Sequence, residues 1–199
     1  MSNSNVKKST MLIVATALMA ALVFVISKFV SIPLFDVFGM PTRVHLGNAM
    51  CLLGGLLFGG LSGGLAAGMG SVIFDLLDPL YIASAPITFI EKFLMGFVCG
   101  KIAHSKKNHG NSLKMNIIAA ICGQLTYVIL YTITSFIKMY LKNPVVETAL
   151  ISAGQKCVVS LINAATAVII AVPLAMIIKK ALSKTSFAKI MGEKAKDEE

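Results

Sequence analysis

The sequence sets most of its polar and ionisable side chains inside or beside long apolar runs, where each is costly unless it faces a cavity or a partner. Arg43, His45 and Asn48 open one such run, and Ser71 and Asp75, four residues apart, close it, with Asp78 and Tyr81 just beyond. Thr88, Glu91 and Lys92 stand near the start of the next. Gln124, Tyr127, Tyr131 and Ser135 fall on one face of a fourth, and Lys156, Ser160 and Asn163 recur at i, i+4, i+7 in the last. Read as spans, these segments carry their polar residues toward one half of a bilayer. The types supply charge, hydrogen-bond donors and acceptors, and aromatic faces. Together they make a pocket suited to a small planar ligand with several hydrogen-bonding groups.

That chemistry is recognition, not catalysis. There is no H-E-x-x-H. Asp75 and Asp78 lack an accompanying metal-ligand cluster, and Cys51, Cys99, Cys122 and Cys157 have neither C-x-x-C nor Cys/His spacing. The cysteines read as small apolar residues. No phosphate-binding G-x-x-x-x-G-K-[ST] is present, and Gly68-Met-Gly70 is not a dinucleotide fingerprint. The expectation is a protein that is not an enzyme, with no catalytic residue, metal, cofactor or ATP site of its own. Each polar residue also has a purely structural reading. Glu91 and Lys92 are adjacent and do not face each other on a helix, so either would pair with Asp75 or Lys156. Arg43 would snorkel to headgroups, His45 would be a satisfied loop histidine, and Tyr127 and Tyr131 would be packing aromatics. Lys156 is the strongest ligand candidate, about 8 Å into the outer half if its span begins near Ile151. His104 and His109 read as solvated in a basic loop.

The elements that must hold these residues are membrane helices. The 199 residues are 56% apolar and 14% charged, where a soluble domain carries about 25% charge, and the mean hydropathy is +0.82. The apolar segments are Thr10–Ile32, Leu46–Leu77, Pro86–Ala103, Met115–Tyr140 and Ile151–Ile178. The first is longer than a signal-peptide core and reads as a retained helix. Although the net charge is +9, the lysines flank apolar runs instead of forming a stripe, which argues against nucleic acid. Twelve of the eighteen basic residues fall at Lys7 and Lys8, at Lys101, Lys106, Lys107 and Lys114, and at Lys179, Lys180, Lys184, Lys189, Lys194 and Lys196. The positive-inside tendency assigns all three stretches to the cytoplasm.

Two cytoplasmic stretches are separated by an even number of crossings. Leu46–Leu77 must therefore cross twice, because as one helix it would run about 48 Å. A break at Phe58-Gly59-Gly60 gives crossings of about 13 and 17 residues. The prediction is an all-α integral membrane bundle of six transmembrane helices with both termini cytoplasmic. Its outer loops would be Pro33–His45, Asp78–Ala85 and Leu141–Leu150. Residues 1–9 form a cytoplasmic tail, 10–180 the transmembrane domain and 181–199 a charged cytoplasmic tail. The stretch GGLLFGGLSGGLAAGMGS holds half of the 16 glycines, several of them four apart. Small residues so spaced let helix backbones approach closely; the alternative is that thin helices leave room for a cavity above them.

Arg43-Val-His-Leu-Gly-Asn48, the glycine-rich hairpin ending Gly70-Ser-Val-Ile-Phe-Asp75, and Pro86-Ile-Thr-Phe-Ile-Glu-Lys-Phe-Leu-Met-Gly96 resemble the S components of energy-coupling factor (ECF) transporters. The likeness is to the riboflavin-transporter type, a group that includes proteins assigned to pyridoxine and hydroxymethylpyrimidine. It spans most of residues 10–180 and is strongest over 43–96. It implies a six-helix subunit in the plasma membrane of a prokaryote, with a vitamin site near the outer face. It also implies partners: an ECF T subunit, and two ATPase subunits that supply the energy this chain cannot. Ala17-Leu-Met-Ala-Ala21 fits the family's A-x-x-x-A docking pattern, which assigns Ala17 and Ala21 to contact with the T subunit. Ordinary packing within the bundle is the alternative. In this family the S component binds from outside and topples to present its site inward. The competing function is a stand-alone secondary transporter of a small solute, which would need coupling-ion residues near the midplane.

Overall fold

The computed structural model describes residues 3–39, 41–105, 109–183 and 185. Six helices carry the chain: α1 (Asn3–Phe29), α2 (Gly47–Phe58), α3 (Gly60–Leu76), α4 (Ala85–Ala103), α5 (Leu113–Lys142) and α6 (Val146–Leu182). Four spans, in α1, α4, α5 and α6, are long and apolar enough to cross a membrane, and α2 and α3 are shorter apolar helices. Only 22–33% of the residues in those four spans are buried within the protein. Ile13, Leu61, Ile129 and Ile169 are among the large apolar side chains turned outward, as lipid-facing helices require.

The break between α2 and α3 falls at Gly59, whose φ of +84° suits glycine. The neighbouring glycines serve tight packing. A Cβ built on Gly55 would lie 2.7 Å from the carbonyl oxygen of Gly96, so α2 and α4 meet backbone to backbone. The core beneath is aliphatic, with Val23, Leu52, Leu56 and Met95 fully enclosed.

Sequence and structure differ at the outer connections. The stretch expected as the loop Pro33–His45 holds an antiparallel ribbon of β1 (Ser31–Phe35) and β2 (Pro41–His45), with Pro33 opposite Arg43. Its turn is closed by the Asp36 carboxylate, which accepts from the Phe38 amide at 2.9 Å, and by Gly39 at φ +72°. Two prolines and an exposed apolar first strand hide the ribbon from a periodicity reading. The expected loop Leu141–Leu150 shrinks to 143–145, because α6 begins at Val146. Hydropathy marks where a helix enters hydrocarbon, and hydrogen bonding carries it further.

Successive helices run antiparallel, so the start of α1, the Gly59 break, the α4–α5 connection and the end of α6 gather at one end. That end is tied together more firmly than a solvated loop. The His104 ring nitrogen Nε2 lies 3.0 Å from the Leu56 carbonyl, which can only accept, so the ring donates. Lys179, buried, donates to the His109 carbonyl. The reading of His104 as solvated is thus corrected. Lys106, Lys107, Lys184, Lys189, Lys194 and Lys196 lie outside the described residues.

Candidate functional site

At the opposite end, β2, α3, α4, α5 and α6 enclose a cavity of about 300 Å3. Of the seventeen polar side chains singled out from the sequence, thirteen line it, and Ser71 and Asp78 are among those that do not. Arg43 and His45 come from β2, not from the start of a helix, and Asp75 comes from the end of α3. Tyr81 precedes α4, which contributes Thr88, Glu91 and Lys92; α5 contributes Tyr127 and Tyr131, and α6 contributes Lys156 and Asn163. Asn48 and Gln124 are fully buried and do not line it.

Arg43 does not snorkel. Its guanidinium carbon lies 3.4 Å from the Phe74 ring centre and 4.5 Å from that of Tyr81, and its Nη2 lies 3.6 Å from Asp75 Oδ1. Aromatic faces and a carboxylate therefore fix a planar cation in the wall. Burial pushes the Tyr81 hydroxyl up to about 12, with Arg43 opposing, so the phenol stays protonated and can donate.

Glu91 and Lys92 diverge, as adjacent helical residues must. The Lys92 ammonium donates to Asn48 Oδ1 at 2.5 Å and lies 3.4 Å from the centre of the Tyr127 ring. Glu91 Oε1 accepts from Thr134 Oγ1 at 2.5 Å. Asn48 in turn donates to Gln124 Oε1 at 3.4 Å, so these two form a support beneath Lys92. Neither Glu91 nor Lys92 takes Asp75 or Lys156 as a hydrogen-bond partner. Tyr127 and Tyr131 stack with ring centres 5.4 Å apart, and the Tyr131 hydroxyl lies 3.4 Å from Thr42 Oγ1.

Asn163 serves the backbone. Its Oδ1 accepts from the His45 amide and its Nδ2 donates to the Arg43 carbonyl, both at 2.9 Å, clamping β2 onto α6. His45 Nδ1 accepts from the Gly47 amide at 3.1 Å, which leaves the proton on Nε2. Lys156 is 5% exposed and lines the cavity, with Asp36 acting on it as an opposite charge.

Among the described residues, Asp75 Oδ2 and Ser160 Oγ in the cavity wall are buried without a hydrogen-bond partner. Such atoms call for a ligand or water. Sequence reasoning missed Thr42, Ser84 and Lys138 in the lining. Lys138 extends the α5 stripe by one step, three residues after Ser135, and was legible there. Ser84 was not, because it sits in the turn Ile82–Ser84 and enters through its bond from Lys138 Nζ at 3.0 Å. No group of three His, Cys, Asp or Glu that could hold a metal occurs among the described residues.

Ala17 and Ala21 lie on the outward face of α1, beside exposed Val14, Leu18 and Val25, while Ala15, Met19 and Val23 pack inward. Both side chains are exposed.

A model of the ECF-type riboflavin transporter, S component family matches residues 7–180. No curated protein and no solved structure matches the chain. The family match takes in α2 to α5 whole, α1 apart from its first residues, α6 apart from its last, the β-ribbon and every lining residue of the cavity. The chain is a multi-pass membrane protein and belongs to the ECF-type riboflavin transporter S component family.

Proposed function

We propose that this chain is the substrate-binding subunit of an ECF-type vitamin importer in a prokaryotic plasma membrane. Its cargo is a vitamin or vitamin precursor of the riboflavin, pyridoxine or hydroxymethylpyrimidine class. The cavity receives it from outside, and a T subunit with two ATPases drives its delivery inward. The observation that carries this reading is the cavity itself: a polar, charged chamber at one end of an otherwise apolar bundle, holding buried hydrogen-bonding atoms left without protein partners. Among the described residues, Lys7, Lys101, Lys114, Lys179 and Lys180 lie toward the other end, which supports cytoplasmic termini and an outward-facing cavity. Ala17 and Ala21, small and outward on α1, supply a face on which another helix can approach closely.

Reconstitution tests the reading. Proteoliposomes holding this chain with its T and ATPase subunits should accumulate labelled vitamin only when ATP is present. Accumulation by the chain alone, down an ion gradient, would instead establish a secondary transporter.

A further inference from the structure

The charges around the cavity do not balance. Four cations line it, Arg43, Lys92, Lys138 and Lys156, against two carboxylates, Asp75 and Glu91. Asp75 answers Arg43 at 3.6 Å. Glu91 is the residue beside Lys92, and its carboxylate also accepts from Thr134. The surplus therefore falls on the wall that α5 and α6 share. There Lys138 Nζ donates to the neutral Ser84 hydroxyl, and the carboxylates that act on it, Glu91 and Asp75, are those already set against Lys92 and Arg43. Lys156 is opposed by Asp36, which lies outside the cavity lining and also accepts from the Phe38 amide and from Ser152. One turn below Lys156, the buried Ser160 hydroxyl points into the same wall without a partner. Buried or half-buried ammonium groups in excess of carboxylates are costly inside a bilayer unless something negative joins them.

We infer that the cavity is built for a small organic anion, with carboxylate or phosphate oxygens received by Lys138, Lys156 and Ser160. The inference rests on the receptor reading above and narrows its cargo to an acidic class. At the opposite wall the unpartnered Asp75 Oδ2 would accept from a ring N–H or hydroxyl of the same molecule, and the stacked Tyr127 and Tyr131 lie between. The volume of about 300 Å3 is at the low end for small-molecule sites, which favours a compact ring.

The test compares neutral and anionic forms on the same ring. Pyridoxine is set against 4-pyridoxic acid and pyridoxine 5′-phosphate, hydroxymethylpyrimidine against its phosphate, and riboflavin against riboflavin 5′-phosphate. Titration calorimetry on the purified full chain in detergent reads the affinities. At least one anionic form should bind about tenfold or more tighter than its neutral parent, a preference that a charge-assisted hydrogen bond supplies. Lys156→Gln and, separately, the half-buried Lys138→Gln should each shrink that preference several-fold, with an unfolding temperature close to that of the wild type reporting that each variant folds. The carboxylate and phosphate arms show which anion is taken. Neutral parents binding as tightly as their anions, or a preference that survives both substitutions, would overturn the inference and leave the receptor reading standing. Binding of none of these compounds would overturn both.

Discussion

Asn163 uses both ends of its amide on the backbone of β2, and so presents Arg43 and His45 to the cavity without needing to touch a ligand itself. Asn163→Ala leaves a buried N–H and C=O unmet. The expected loss is roughly 1–3 kcal/mol for each orphaned group, read as a lower unfolding temperature, together with weaker ligand binding. Tyr127 sits against both Lys92 and Tyr131. Tyr127→Ala should weaken binding more than Tyr127→Phe, which keeps the ring face; equal losses in a titration would assign the effect to the hydroxyl. At the other end, burial holds the His104 imidazole down at about 4 from its ordinary 6.5. The unfolded chain takes up a proton there that the folded chain refuses, so this contribution is complete above about 6.5 and is lost as pH falls toward 4. His104→Gln should flatten the acid limb of the stability curve in that window. Most cavity residues were legible because a polar group in an apolar run needs a reason. Their division of labour was not. Spacing assigns a helix face but no depth along it, so Asn48 and Gln124 looked like cavity residues and are its support.

Among elements, the α2–α3 break was readable from the run length and from Gly59, since a helix of that length overshoots a bilayer and glycine alone takes φ +84° without strain. The β1–β2 ribbon was not readable, because a strand with four exposed residues in five has no alternation to detect. The close approach of α2 and α4 makes a quantitative prediction. Gly55→Leu must displace the Gly96 backbone and should cost about 1–3 kcal/mol or block assembly. Gly154, where an added Cβ meets nothing within 4 Å, is the control: Gly154→Ala should hold or raise stability by up to about 1 kcal/mol of helix propensity, read as an unchanged or higher unfolding temperature. If both variants melted alike, backbone contact between α2 and α4 would not be what stabilises this end of the bundle.

For the molecule as a whole, composition and the placement of lysines announced a membrane bundle before any contact was known. The outward face of α1 bears on how that bundle is coupled. Ala17→Trp and Ala21→Trp should abolish ATP-dependent uptake by the reconstituted importer while ligand binding by the isolated subunit is unchanged, because neither residue packs inward. Loss of binding in either would mean that the face belongs to the fold of this chain and not to its partner. Reporter tags at the two chain ends should both register on the cytoplasmic side.

The central claim is that a charged chamber inside a lipid-embedded bundle holds a small solute. Native mass spectrometry of the subunit, purified gently from its own membranes, addresses it most directly. The account predicts one small molecule bound per chain, lost in Lys156→Ala and in Tyr127→Ala. A wild-type subunit that carries nothing and takes up no vitamin when supplied, or a bound molecule retained in both variants, would contradict it.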